Sequence, residues 1–246
     1  MILTAHQPVY LPWLGLFHKI AVSDKFCFFD RVQYQAKDWN NRNKIKFSNG
    51  QADWLSVPVL RKGYLEGSYL DLEINNAIPW RKKHWRSLEL NYCKAPYFKE
   101  YSQKLKYFYE RDWQYLVDLN YEMLLFFMET LGINVPVVRM KDCDFQGEKS
   151  DLVLDMCVKL GADGYIFGAL GKEYADVSAF RDNGIELYFQ DYEHPVYPQQ
   201  HGDFISHLSI IDLLFNCGPE SLKIMMEDNI SREDLETLLD EQRSKD

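Results

Sequence analysis

The stretch AHQPVYLPWLGLFHK, residues 5–19, sets a histidine, a glutamine, a tyrosine and a tryptophan among two prolines, directly after an apolar run. His6 ends that run. An imidazole titrates near neutral pH, so His6 is a candidate general base. Gln7, Tyr10 and Trp13 are candidates for substrate contact, on a loop that Pro8 and Pro12 stiffen. The plainer role for His6 is a hydrogen bond to a loop carbonyl. A second apolar run, KFCFFD, ends on Asp30, a carboxylate able to assist proton transfer.

Three further clusters carry chemistry. DWNNRNKIK (38–46) interleaves Trp39 and Asn41 with Arg42 and Lys44. Cations clamp phosphate and an aromatic face stacks on a base or sugar, whereas a solvated charged arm is the plainer reading. YIFGALGKEY (165–174) runs from an apolar stretch into Gly168, Gly171, Lys172 and Tyr174. Glycines at a helix start let N–H groups reach an anion, although the P-loop spacing is absent and an ordinary turn reads equally well. HPVYPQQHGDFISHLSIIDLLFNCG (194–218) offers His194 as a catalytic candidate and Asp212 as a substrate contact. Its histidines are spaced too irregularly for a helical metal pair, and no Cys-x-x-Cys exists, so no metal is expected. Cys217 reads as a nucleophile or, more plainly, a small buried residue. PWRKKHWR (79–86) is either a phosphate clamp or a solvated helix face over packed tryptophans.

Positioning these residues needs an α/β framework. Residues 1–5, a helix over 13–22 and KFCFFD predict a β-helix-β opening, with His6 and Asp30 at the carboxyl ends of parallel strands. Asn49-Gly50 predicts a hairpin. YLDLEI (69–74) alternates, which predicts a half-buried strand with Leu70, Leu72 and Ile74 inward and Tyr69 outward. Helices are expected over 79–92, 97–110 and 112–131, then strand-helix alternation to residue 189. The expectation is one mostly parallel, Rossmann-like sheet with helices on both faces, over residues 1–218. An antiparallel β insertion covers about 40–78, and a short helical tail covers 219–246.

Composition narrows the function. The 246 residues carry a formal charge of −9, which argues against nucleic acid because phosphate contacts need a basic surface. Five scattered cysteines read as reduced thiols. Neither a signal peptide nor a membrane span is legible, so a cytoplasmic location is expected.

HQPVYLPWLGLFHKIAVSDKFCFFDRVQY, NRNKIK, WLSVPV, KHWRSLELNYCKAPYF, LGADGYIFGALGKEY and LSIIDLLFNCG, in that order between Leu3 and Gly218, resemble the WbqC-like protein family. Members of that family are associated with bacterial surface-polysaccharide (O-antigen) gene clusters, which implies work on nucleotide-activated sugars. The resemblance implies a transferase that places an acyl or aminoacyl group on the amine of a nucleotide-linked amino sugar. The donor would be coenzyme A, a carrier-protein thioester or an activated amino acid, and an acyl carrier would then be a partner. His6 would take the amine proton, with N–H groups of the glycine loop on the oxyanion. Two alternatives stand beside it: nucleotidyl transfer by a HIGH-type α/β enzyme, and a non-catalytic sugar-nucleotide-binding protein. Against the first, HIGH-type sites pair histidines three residues apart, and the next histidine here is His18. Phe167 stands where the family tends to have serine.

Overall fold

The computed structural model describes residues 1–34, 38–60 and 68–244. The chain opens with β1 (Ile2–His6), α1 (Leu14–Ala21) and β2 (Lys25–Phe28), followed by a hairpin, β3 (Arg42–Lys46) and β4 (Ala52–Ser56). Three helices come next: α2 (Trp80–Tyr92), α3 (Phe98–Glu110) and α4 (Leu116–Leu131). Alternation then resumes through β5 (Val137–Arg139), α5 (Lys149–Leu160), β6 (Gly164–Phe167), α6 (Val177–Asp182) and β7 (Glu186–Phe189). The chain finishes with α7 (Ile210–Cys217), α8 (Ser221–Met226) and α9 (Arg232–Arg243).

The expected α/β architecture is present. Five parallel strands lie in the order β5-β2-β1-β6-β7, and β3 and β4 make a separate antiparallel pair. Helices cover both faces of the sheet. Phe26 and Phe28 pack with Phe17 of α1 and Phe127 of α4 in one core. Leu3, Ala5, Tyr165 and Phe167 meet Val153 and Met156 of α5 and Phe180 of α6 in another. Ile2 and Ile166 carry α9 through Leu235 and Leu239, all buried, so the end of the tail closes part of the sheet. Because the chain leaves β1 first for β2 and later returns to β6 on the other side, the strand order reverses between β1 and β6. The crevice at the carboxyl ends of such a reversal is where open α/β sheets bind ligands.

Three local expectations are corrected. YLDLEI is no half-buried strand: Tyr69–Asp71 is a 3-10 turn opened by the Ser68 side chain, which accepts from Leu70 N–H. Tyr69 is fully buried, not outward, because its hydroxyl meets Asn120 Nδ2 at 2.7 Å within the core. The helix expected from residue 112 begins at Leu116. Residues before it pair as extended chain, with Ile74 N–H donating to Gln114 O and Leu116 N–H to Leu72 O. The helix expected after Lys172 is only Val177–Asp182, since Asp176 caps it and Ala169–Glu173 coils as 3-10. Residues 61–67 of the insertion and 245–246 of the tail lie outside the described residues.

Candidate functional site

His6 is the last residue of β1. Its ring meets the Trp13 ring edge-on at 5.2 Å, at the sheet reversal. Nδ1 lies 2.8 Å from the Gln7 carbonyl, which assigns the proton to Nδ1 and leaves Nε2 as the acceptor. Nε2 has no protein partner among the described residues. Burial lowers the His6 pKa to about 4, helped by the nearby Lys19 ammonium and opposed by the Gln7 bond. The imidazole is therefore neutral at neutral pH, with Nε2 unprotonated and able to accept a proton. Lys19 of α1 is 3% exposed, and its Nζ donates to Ala5 O at 3.0 Å. No carboxylate pairs with it among the described residues. Burial lowers its pKa to about 7. Sequence reasoning passed over Lys19, although a lysine inside the mostly apolar LGLFHKIA was a visible signal.

The loop after His6 is stitched to the hairpin arm. Asn40 Nδ2 donates to Pro8 O at 2.8 Å, Asn43 Nδ2 to Leu11 O, and Tyr10 N–H to Trp39 O at 3.3 Å. These bonds hold Leu11 at φ 48, a left-handed conformation that a branched side chain rarely adopts. The result is a row of half-buried rings leading away from His6. Trp13 lies 5.7 Å from Trp39, and Trp39 lies 5.2 Å from Trp54. The Arg42 guanidinium stands 4.1 Å over Trp54, and Lys44 Nζ 5.0 Å from it. Trp54 was missed from sequence, yet hairpin register about Asn49-Gly50 sets it directly opposite Lys44. Residue Ser209 ties in the C-terminal loop, bridging to Trp13 and donating its N–H to Lys44 O.

The structure thus joins His6, Trp13, Trp39, Arg42 and Lys44 into one surface, with half-buried Gln7 beside them. Register carries Gly168 to the same edge, since Thr4 pairs with Ile166. Gly171 has a packing reason: a Cβ there would lie 2.5 Å from Phe167 Cβ. Lys172 and Tyr174 are exposed beyond it. Among the other candidates, Tyr10, Asp30, Asn41 and Asp212 are interior. The Tyr10 hydroxyl is shared with His84 Nδ1 at 2.8 Å and Tyr109 at 2.9 Å, with no exposed surface. Asn41 bonds Val57 O and Tyr34. Asp212 accepts from the Tyr92 hydroxyl at 2.7 Å, and burial raises its pKa. Asp30 accepts Arg139 Nε at 2.6 Å and Lys141 N–H at 2.8 Å. His194 bonds Pro195 O and packs on Tyr197 and His207, with no contact to His6. His18 has both nitrogens engaged, by Gln190 Nε2 and Ile230 O. Burial pushes the Cys217 thiol up to about 11, which makes it a poor nucleophile.

Fold and site together define a Rossmann-like α/β protein whose sheet reversal opens onto a histidine and a ring-and-cation surface. The chain belongs to the WbqC-like protein family, whose profile matches residues 7–224. The uncharacterized protein Rv1507c of Mycobacterium tuberculosis is 35% identical over 217 residues, covering 87% of this chain and 93% of that one. No solved structure matches the chain. No helix among the described residues is long and apolar enough to cross a membrane.

Proposed function

We propose that this protein is a transferase that binds a nucleotide-linked amino sugar at the β1–β6 edge and moves an acyl or aminoacyl group onto its amine. The observation that carries this reading is the unbroken surface from His6 through Trp13 and Trp39 to Trp54, with Arg42 and Lys44 at its far end. Rings of this kind stack on sugar and base faces, and the two cations suit a diphosphate. The sugar amine then lies by His6. Its nitrogen attacks the donor carbonyl, the proton passes to His6 Nε2, and the N–C bond forms as the carbonyl's bond to its thiol or other leaving group breaks. His6 returns the proton to that group. Backbone N–H groups of the turn after Gly168 face the developing oxyanion. Nucleotidyl transfer of the HIGH type finds less support, because His18 is enclosed and fully hydrogen-bonded.

The test combines purified protein with a panel of nucleotide-linked amino sugars and acyl donors, read by mass. The expected product carries the added acyl mass. In His6→Asn, kcat falls by about 10²–10⁴-fold while sugar-nucleotide affinity changes far less. Binding without turnover would assign a non-catalytic binding protein, and pyrophosphate release would assign nucleotidyl transfer. A fully active His6→Asn protein sinks the general base.

A further inference from the structure

A large groove lies away from the β1–β6 edge. It is an open groove of about 1330 Å³ along α2, bounded by α3 at one side and by Phe47 and Ser48 of the hairpin turn at one end. Small-molecule pockets run to about 300–1,000 Å³, so the groove is large for one compact ligand. The 13 residues of α2 make it roughly 20 Å long, which is the length of a partner helix of similar size.

Its chemistry is two-sided. The floor and ends are apolar and aromatic: Trp85 packs between Phe98 and Tyr109, while Ile78 and Leu90 are 41% and 58% exposed. The rim is cationic. Arg81 is paired with Asp112 and Lys106 with Glu110, but Lys82, Lys83 and Arg86 have no acidic partner among the described residues. Glu89 is the remaining acid of the lining. The lining holds five lysines and arginines against three acids, in a chain whose formal charge is −9. An excess of positive charge along one groove of an acidic protein favours an acidic partner. Exposed apolar side chains framed by such charge mark a protein-binding surface more than a solvated one.

The geometry points to a docking groove on α2 for an acidic amphipathic helix of a partner protein, its apolar stripe on Trp85 and Leu90 and its carboxylates on Lys82, Lys83 and Arg86. This is helix-in-groove recognition. It does not depend on the chemistry proposed at His6.

Fluorescence anisotropy of labelled peptides on the full-length protein tests it. One peptide of about 18 residues carries leucines at i, i+3, i+4 and i+7 with glutamates opposite, and a second scrambles the same composition. The ordered peptide is expected to bind at least about tenfold tighter than the scrambled one, and progressively more weakly as salt rises. Lys82→Glu/Lys83→Glu/Arg86→Glu loses at least about tenfold in affinity, Leu90→Asp weakens it too, and His6→Asn leaves it unchanged. All changed side chains but His6 are exposed, so circular dichroism of these variants stays that of the parent. Three results overturn the assignment: no binding of the ordered peptide, equal binding of both peptides, or wild-type affinity in the triple variant. Displacement by pyrophosphate, or by vesicles containing phosphatidylglycerol, would assign the groove to a phosphate or a lipid surface instead.

Discussion

A protein folds more easily without a charge in its core than with one, so Lys19 is costly where it stands. Its pKa of about 7 lies well below the ordinary 10.5. Between those values the unfolded chain binds more protons than the folded one, so the Lys19 contribution to stability rises with pH across that window. Below it, the lysine is charged in both states and the full cost of burial is carried. Lys19→Met should therefore stabilise the protein at neutral pH, by on the order of 2 kcal/mol, with the gain shrinking as pH climbs toward 10.5. Thermal melts of both proteins from pH 6 to pH 10 check this; a lower melting temperature for the variant at neutral pH would show that the bond to Ala5 O outweighs the buried charge. His6 runs the same way at lower pH. Its folded pKa of about 4 is below the ordinary 6.5, so stability it supports is present above 6.5 and lost as pH falls toward 4.

At the scale of the element, the turn after β6 separates two reasons for glycine. Gly171 is buried against Phe167, and a Cβ there would lie 2.5 Å from that side chain's own Cβ. Gly168 has nothing within 4 Å of a Cβ and an ordinary φ of −73. Gly171→Ala should thus cost about 1–3 kcal/mol by overpacking, whereas Gly168→Ala should leave the melting temperature nearly unchanged. A drop in ligand affinity for Gly168→Ala at constant stability would tie this turn to an anion; equal melting temperatures in the two variants would refute the packing argument. The hairpin was legible because Asn49-Gly50 favours a tight turn and Gly50 has φ 79. YLDLEI misled because period-two spacing says nothing of a hydroxyl seeking Asn120 in the core. Hydrogen bonds from distant residues overrode the local pattern there, and the same happened at residues 112–115.

Across the whole molecule, the C-terminal helix belongs to the sheet's covering. Leu239 reaches the strand face so closely that a Cβ on Gly164 would lie 2.9 Å from its Cδ1. Arg232 pairs with Asp24, and Arg243 with Asp163, fastening both ends of α9. Leu239→Ala should cost about 2–5 kcal/mol, as for other buried leucines, measured by denaturant unfolding. A cost below about 0.5 kcal/mol, the scale of a surface change, would show the helix to be an appendage. From residue order alone came the parallel α/β plan, the hairpin, most helix ends and the loop bearing His6, because each rests on periodicity, turn chemistry or capping within a short window. Asn and Trp at 39–43 were visible as a cluster, as was the basic run at 81–86. That Trp13, Trp39 and Trp54 form one row, that Tyr10, Asn41 and Asp212 face inward, and that Lys19 is buried near His6 with no acidic partner among the described residues was decided only by tertiary structure. Those facts depend on strand order, on which loops cross, and on which side chains pack between residues far apart in the chain, and no local propensity encodes them.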